Sequence, residues 1–322
     1  MKFLKKFFQK KKLNKCQNML LGIAIGDSFG VGYEMQPRWK VQKYFNFTKY
    51  SRRKKWKIGR YTDDTQMSIG VTESMLSKKK FNKENLAEKF VEAYKRDPHT
   101  GYTRVFSSIL KSSRNGKDML RKIRGDSIKN GAAMRAVPMG VLLKLKDVIN
   151  SAKINASVTH NSPGGIFSSV CVAVASHYFY YNLGKPEKVF DFCLKACKGL
   201  DKEALAYIKE LSKMKHFNPK LLFGEKDEKF GVPCHGVKTA GAVLYILSRF
   251  SDSVRQTLIE SVMLGGDTDS TACICLGIVA MNQGLDELPK FLLKDLENRG
   301  YGKDYLIELG EKLCKKYPDS KS

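Results

Sequence analysis

Apolar residues recur at helical spacing along nearly the whole chain, and no other sequence feature constrains the fold as strongly. One such stripe consists of Ile166, Val170, Ala173, Val174 and His177. The segment 268–281 is apolar on most sides, which predicts a helix buried at the centre of the protein. No stretch shows sustained alternation between hairpin-type turns, so strands are not expected. The chain is therefore predicted to be all-α.

The turns between these helical segments do not resemble interdomain linkers, and the sequence contains no internal repeat. A length of 322 residues is compatible with one large helical unit. We therefore predict a compact single-domain orthogonal helical body over residues 16–322. Residues 1–15 are predicted to be a basic amphipathic or disordered extension, because their Phe and Leu residues lie opposite a lysine face. Contact of this arm with an anionic membrane surface is the alternative, since the apolar run is too short for a signal peptide or membrane span.

The formal net charge of +26 is unusual for a globular chain. We favour a solvated lysine-rich surface as its explanation, and the alternative is a field that attracts polyanions. No RRM, KH or zinc-finger pattern is present, so a basic nucleic-acid-binding protein is the weaker reading and no specific nucleic acid is expected. The eight cysteines form no CxxC pair, which favours reduced thiols in an intracellular protein. We expect a cytoplasmic or nuclear monomer.

Acidic residues cluster in two segments that are far apart along the chain, at 62–64 and 267–269. Capping of a helix start explains a single Asp in such a position. It explains poorly the doubled Asp63-Asp64, or Asp267 and Asp269 beside an apolar helix, because neighbouring buried carboxylates repel one another. Oxygen ligands without nearby Cys or His favour Mg²⁺ or Mn²⁺ over zinc. Two acidic helix starts that face one another would form a two-metal site.

Five motifs give the chain a resemblance to a known family. They are GDSFGVGYE at 26–34, YTDDTQ at 61–66, NGAAMR at 130–135, TH-x-x-P at 159–163 and GGDTDS at 265–270. Their order resembles that of the ADP-ribosyl-glycohydrolases, a family that includes the dinitrogenase reductase-activating glycohydrolase and its animal relatives. The likeness runs from about residue 19 to about residue 289. It implies an all-α fold with a dinuclear Mg²⁺ centre in a cleft.

The resemblance implies a set of metal ligands from both acidic helix starts, namely Thr62, Asp63, Asp64, Asp267, Asp269 and Ser270. Ser270 stands where the family usually has Thr, and it keeps the hydroxyl. Two Mg²⁺ ions are implied, with Mn²⁺ as a substitute. Glu34 resembles a carboxylate on a mobile segment, and either Glu34 or Asp269 is expected to accept a proton during catalysis. Asp27 is expected to have a supporting or structural role.

The resemblance also implies a substrate side formed by the NGAAMR and TH motifs. The residues expected to bind substrate are Asn130, Gly131, Met134, Arg135 and His160. The glycine permits close backbone approach, and successive N–H groups can bind an anion. Arg135 is expected to pair either with phosphate or with a structural carboxylate. Without the resemblance, His160 would be interpreted as a core histidine.

The implied function is Mg²⁺-dependent hydrolysis of the glycosidic bond between ADP-ribose and an acceptor, with release of ADP-ribose. The expected partner is an ADP-ribosylated protein or a small ADP-ribose conjugate. The acceptor stays open among Arg, Ser, poly-ADP-ribose and O-acetyl-ADP-ribose, all of which the family handles. The alternative is a catalytically silent ADP-ribose-binding protein. Release of ADP-ribose with and without Mg²⁺ distinguishes the two.

Overall fold

Helices make up the framework of the protein in the computed structural model, which describes residues 12–52 and 57–319. The α-helices of this part of the chain are α1 (Lys15–Gly30), α2 (Arg38–Tyr44), α3 (Asp63–Leu76), α4 (Lys83–Arg96), α5 (Arg104–Ser112), α6 (Gly116–Lys122), α7 (Gly131–Met134), α8 (Leu145–Thr159), α9 (Pro163–Tyr180), α10 (Val189–Ala196), α11 (Lys202–Ser212), α12 (Pro219–Phe223), α13 (Gly236–Phe250), α14 (Val254–Met263), α15 (Thr268–Gln283), α16 (Lys290–Lys294) and α17 (Lys303–Lys316). Two short 3₁₀ helices span Val137–Val141 and Pro186–Lys188.

The predicted all-α fold is confirmed. Across the described residues, extended pairing is limited to isolated bridges, two of which involve Gly266. The apolar stripe at 166–177 lies in α9. The segment predicted to be a central helix lies in α15, where every residue from Thr268 to Met281 is buried. Helical periodicity therefore identified both the fold class and its central helix.

Helix α1 packs along α15 at very short range, because three glycines of α1 are spaced four residues apart, at positions 22, 26 and 30. A Cβ on Gly22 would lie 2.7 Å from the carbonyl oxygen of Leu276, and one on Gly26 would lie 2.3 Å from that of Ala272. A Cβ on Gly30 would lie 2.5 Å from the carbonyl oxygen of Thr268. Only glycine permits this approach. The stripe brings the carboxyl-terminal part of α1 against the first turn of α15, where the second acidic cluster lies.

The two ends of the described chain meet at the start of α1. Asn14 caps the helix through a reciprocal pair of hydrogen bonds with Gln17. The Nζ atom of Lys15 donates to Asp319 at 2.6 Å, so Lys15 is part of the helical body. Most of the predicted extension at 1–15 lies outside the described residues. None of the helices described is both long and apolar enough to cross a membrane.

Candidate metal centre and ligand cavity

The first acidic helix start is organised by a carboxylate from a different helix. Asp27 of α1 is fully buried and accepts hydrogen bonds from the backbone N–H and hydroxyl groups of both Thr62 and Thr65, at 2.6–3.0 Å. It therefore satisfies amino-terminal N–H groups that α3 cannot satisfy internally. The hydroxyl of Thr62 also caps α3, because it accepts a hydrogen bond from the backbone N–H of Asp64. The capping role thus belongs mainly to Asp27 and Thr62, and it does not account for Asp63 and Asp64.

The second acidic helix start is held by a tight glycine turn. Gly265 and Gly266 have positive φ angles of 72° and 71°. A Cβ on Gly266 would lie 2.2 Å from the carbonyl oxygen of Val232. The Gly266 carbonyl accepts from the N–H of Met35, which follows Glu34 in the chain. Met35 itself has a φ of 54°, a conformation that is uncommon for a residue with a side chain. The turn thereby places the Glu34 segment next to the start of α15.

These contacts bring carboxylates of three helices together. Asp27, Asp64 and Asp269 each offer an oxygen within 4.8 Å of the other two, and all three are buried. The Oδ1 atom of Asp64 is buried and has no hydrogen-bond partner among the described residues. An unpaired buried carboxylate oxygen is costly unless a cation binds it. The donor set is all-oxygen, and this is the set that Mg²⁺ and Mn²⁺ prefer.

Burial raises the pKa of the clustered carboxyl groups. The pKa of Asp64 lies well above its usual range because of burial first and the nearby Asp27 second. The pKa of Asp269 is raised by burial and then by Glu34, and that of Asp63 by burial and then by Asp27. Burial also raises the pKa of Asp27, although the hydrogen bonds from Thr62 and Thr65 oppose this effect. Without a counter-ion the cluster therefore disfavours full ionisation.

The carboxylates border a cavity of about 420 Å³. Most residues that the sequence assigned to catalysis, metal or substrate line it, namely Glu34, Asp63, Asp64, Asn130, Gly131, Met134, Arg135, His160, Asp267, Asp269 and Ser270. Thr62 is fully buried and is not among the lining residues, and its hydroxyl donates to Asp27. A larger cavity of about 580 Å³ lies elsewhere, between residues 57–60, 96–97 and 297–301. It contains none of the predicted site residues.

Asn130 contacts a predicted metal ligand. Its Nδ2 atom donates to the Oδ2 atom of Asp267 at 3.0 Å and to the hydroxyl of Thr239 at 3.2 Å. Asp267 is the residue before α15, and its side chain does not cap that helix. The NGAAMR segment forms a single helical turn, α7, whose first residue is Gly131. A Cβ on Gly131 would lie 2.7 Å from the Cε1 atom of His160, so glycine allows the imidazole to lie against this turn.

Arg135 points into the protein interior. It is only 1% exposed, and its guanidinium donates to Asn155 and to the hydroxyl of Thr159. Burial lowers its pKa to about 9, which leaves it protonated at neutral pH. The Thr159 hydroxyl also contacts the Nδ1 atom of His160 at 2.6 Å. Of the two roles considered for Arg135, pairing with a structural carboxylate is not found within the described part of the chain.

Two residues of the site have roles in the structure that the sequence did not predict. Asp27 belongs to the carboxylate cluster, whereas the sequence indicated a supporting or structural role. Its place in the motif at 26–34 was the only available signal. Thr159 links Arg135 to His160 and lines the cavity, and the TH motif was its signal.

Comparisons with known proteins agree with this geometry. The sequence model of the ADP-ribosylglycohydrolase family matches residues 9–322. ADP-ribosylhydrolase ARH3 of Xenopus tropicalis is 27% identical over 341 residues, covering 95% of this chain and 96% of that protein. ADP-ribosyl-(dinitrogen reductase) glycohydrolase of Rhodospirillum rubrum is 24% identical, covering 86% and 88% respectively. A solved structure titled ADP-ribosylglycohydrolase-related protein complex shares the fold, with a TM-score of 0.65 and 19% identity over 94% of this chain and 97% of that one.

Proposed function

This chain belongs to the ADP-ribosylglycohydrolase family, and we propose that it is a Mg²⁺-dependent hydrolase that cleaves the glycosidic bond between ADP-ribose and an acceptor. The observation that carries the proposal is the buried cluster of Asp27, Asp64 and Asp269, in which Asp64 and Asp269 line the cavity. Such a cluster is costly in a structural role and suits a site that binds divalent cations. The Xenopus tropicalis and Rhodospirillum rubrum proteins, which resemble this chain over most of their length, carry names of ADP-ribosyl hydrolases.

The residues present fit divalent metal ions. The unpaired Oδ1 atom of Asp64 and the raised pKa values of Asp63, Asp64 and Asp269 indicate a cluster that lacks positive charge. The groups proposed to hold two Mg²⁺ or Mn²⁺ ions are Thr62, Asp63, Asp64, Asp267, Asp269 and Ser270. Bound ions of this kind supply charge neutralisation, and they lower the pKa of a water molecule towards neutrality.

The chain's own residues contribute orientation and proton transfer. Asn130 fixes the carboxylate of Asp267 by a hydrogen bond, and Asp27 fixes the start of α3. In the proposed reaction, a water oxygen bonds to the anomeric carbon of the ribose while the bond to the acceptor breaks. Asp269 or Glu34 accepts the water's proton and passes it to the departing acceptor, so that ADP-ribose and the protonated acceptor are released. Gly131, Met134 and His160 line the side of the cavity proposed to bind ADP-ribose.

Removal of divalent cations is expected to abolish release of ADP-ribose from a defined conjugate. Addition of Mg²⁺ or Mn²⁺ should restore the activity, and Zn²⁺ alone should not, because the ligand set consists of oxygen atoms. The measurement is chromatographic release of ADP-ribose from a panel of Arg-, Ser- and O-acetyl-linked conjugates, with metal content checked by elemental analysis. Full activity in protein free of metal would refute the metal assignment.

The same panel tests the activity itself. If ADP-ribose binds in the presence of Mg²⁺ but no conjugate is hydrolysed, the chain is a silent ADP-ribose-binding protein. The conjugate that is hydrolysed fastest identifies the acceptor linkage. A negatively charged small molecule of similar size without ribose is a suitable control, since the basic surface alone attracts anions.

A further inference from the structure

Arg135 is a fully buried cation whose direct partners are all neutral. Within the described residues, no ion pair involves it. Its Nε atom donates to the Oδ1 atom of Asn155 at 2.6 Å, and its Nη2 atom donates to the Asn155 carbonyl at 3.1 Å and to the Thr159 hydroxyl at 2.8 Å. Its guanidinium lies over the Phe90 ring, 4.7 Å from the ring centroid. Burial of a charge without an ionic partner is costly, and these hydrogen bonds and the ring contact offset that cost.

The orientation of Arg135 is fixed by Asn155. The Nδ2 atom of Asn155 donates to the carbonyl of Ala132 at 2.8 Å and to the hydroxyl of Ser169 at 2.9 Å. Both amide hydrogens are thereby used, so the oxygen of the amide must face Arg135. The guanidinium consequently presents Nη2 to Thr159 in a single geometry.

The direction of the next hydrogen bond follows from counting protons. A threonine hydroxyl has one proton to donate. Thr159 accepts from Arg135, and its other contact within the described residues is the Nδ1 atom of His160 at 2.6 Å. If Nδ1 carried a proton and donated it to Thr159, the hydroxyl proton would be left without an acceptor in a buried place, which costs free energy. Every buried donor and acceptor here has a hydrogen-bond partner only if the Thr159 hydroxyl donates to the Nδ1 atom of His160.

We propose that Arg135 is a positioning residue that acts through Thr159 to hold His160 in the tautomer protonated at Nε2, so that the imidazole presents a fixed hydrogen-bond donor to the ligand in the cavity. This inference rests on the proposed function for the identity of that ligand. His160 lines the cavity, and Nε2 makes no hydrogen bond to any described residue. An Nε2–H group in this place suits an acceptor oxygen, such as those of phosphate or ribose.

The charges around His160 support a neutral ring. Its pKa is lowered to about 3 by burial and by the nearby Arg135 and Lys129. Asp126, whose backbone forms a bridge with that of His160, has an exposed side chain paired with Arg124. The imidazolium is thus disfavoured, and the donor must come from the choice of tautomer. A tautomer fixed by the hydrogen bond at the other ring nitrogen is the general rule for functional histidines.

The tautomer can be measured in the ligand-free protein by ¹⁵N NMR of histidine-labelled samples. The expected result is a single neutral tautomer with its proton on Nε2, and a Thr159 hydroxyl proton that correlates with Nδ1. The chain contains five histidines, so the signal that disappears in His160→Gln provides the assignment. A directly bonded proton at Nδ1, or a protonated ring at neutral pH, would overturn the proposal.

Three variants test the link from Arg135. Thr159→Val removes the donor, and Arg135→Met frees the hydroxyl to rotate, so both should make the Nδ1–H tautomer detectable. Thr159→Ser keeps the hydroxyl and should restore the single tautomer. Thr257→Val is the matched control, because Thr257 is also buried but donates only to the carbonyl of Phe250. An unchanged tautomer in both Thr159→Val and Arg135→Met refutes the relay.

Binding of ADP-ribose at constant Mg²⁺ provides the functional readout. Thr159→Val should weaken binding by about 5- to 10-fold, the usual effect of one hydrogen bond, and should change kcat less than KM. In a His160→Gln background, where the amide nitrogen replaces Nε2, Thr159→Val should have no further effect. Additive losses would contradict the relay. If wild-type protein does not bind ADP-ribose, the proposed function fails, while the tautomer measurement still decides the role of Arg135.

Discussion

Asp269→Asn is expected to lower the rate of hydrolysis by more than about 100-fold, the upper end of what loss of an outer-shell partner costs at a metal site. Asp63→Asn should have a similar effect, because either change removes one charge from the set of proposed ligands. The measurement is turnover of a defined ADP-ribose conjugate at saturating Mg²⁺. Wild-type turnover in either purified variant would contradict the metal assignment.

The same substitution should leave the metal-free protein as stable as the wild type, or more stable. The pKa of Asp269 is raised in the folded state by burial, Glu34 and Asp267. A raised pKa means that the ionised form is disfavoured in the folded protein, so this carboxylate lowers stability at pH values above its unfolded pKa. Asn removes that charge. Stability and activity should therefore change in opposite directions, which distinguishes loss of a functional ligand from misfolding.

Mg²⁺ itself completes this test. It should raise the thermal midpoint of the wild type, because a ligand that binds only the folded state stabilises it. The increase should be much smaller in Asp269→Asn. A matched control is Asp191→Asn, which removes an exposed carboxylate whose partner is Lys188. An equal Mg²⁺-dependent increase in both variants and the wild type would indicate binding elsewhere.

The elements of the fold could be predicted from the sequence because helical periodicity is local. The buried helix at 268–281 and the stripe at 166–177 were both correct for that reason. Doubled carboxylates beside an apolar segment likewise identified Asp63, Asp64, Asp267 and Asp269 as candidates for one site. The free-energy cost of burying a carboxylate depends on the residue type itself, so it can be recognised from the sequence.

The pairing of distant segments could not be predicted in the same way. Asp27 contacts Thr62 and Thr65 across more than thirty residues, and nothing in the local pattern shows which carboxylate caps α3. Arg135 illustrates the same limit. Its chemistry suits a phosphate, yet its Nε and Nη2 atoms donate to Asn155 and Thr159, both of which lie on α8. The sequence shows the chemical capacity of such residues, and tertiary contacts determine how it is used.

Gly26→Ala is expected to destabilise the protein by about 3 kcal/mol, at the upper end of the usual cost of overpacking. The added Cβ would lie 2.3 Å from the carbonyl oxygen of Ala272 and 2.8 Å from the amide nitrogen of Cys273. Both are backbone atoms of α15, so no side-chain rotation can relieve the contact and the two helices must separate. Chemical denaturation measures the change in the free energy of unfolding.

Gly164→Ala is the matched control for this substitution, since it also adds a methyl group to a helix. Its Cβ would lie 3.2 Å from the Cγ2 atom of Val237, which a small side-chain movement relieves, and 3.7 Å from the Oδ2 atom of Asp201, which is an ordinary contact. Alanine also favours the helix. Gly26→Ala should in addition weaken Mg²⁺ binding, because separation of α1 from α15 moves Asp27 away from Asp269. The control should bind Mg²⁺ like the wild type. A stable Gly26→Ala protein with unaltered Mg²⁺ affinity would show that the close approach of α1 and α15 does not hold the carboxylate cluster together.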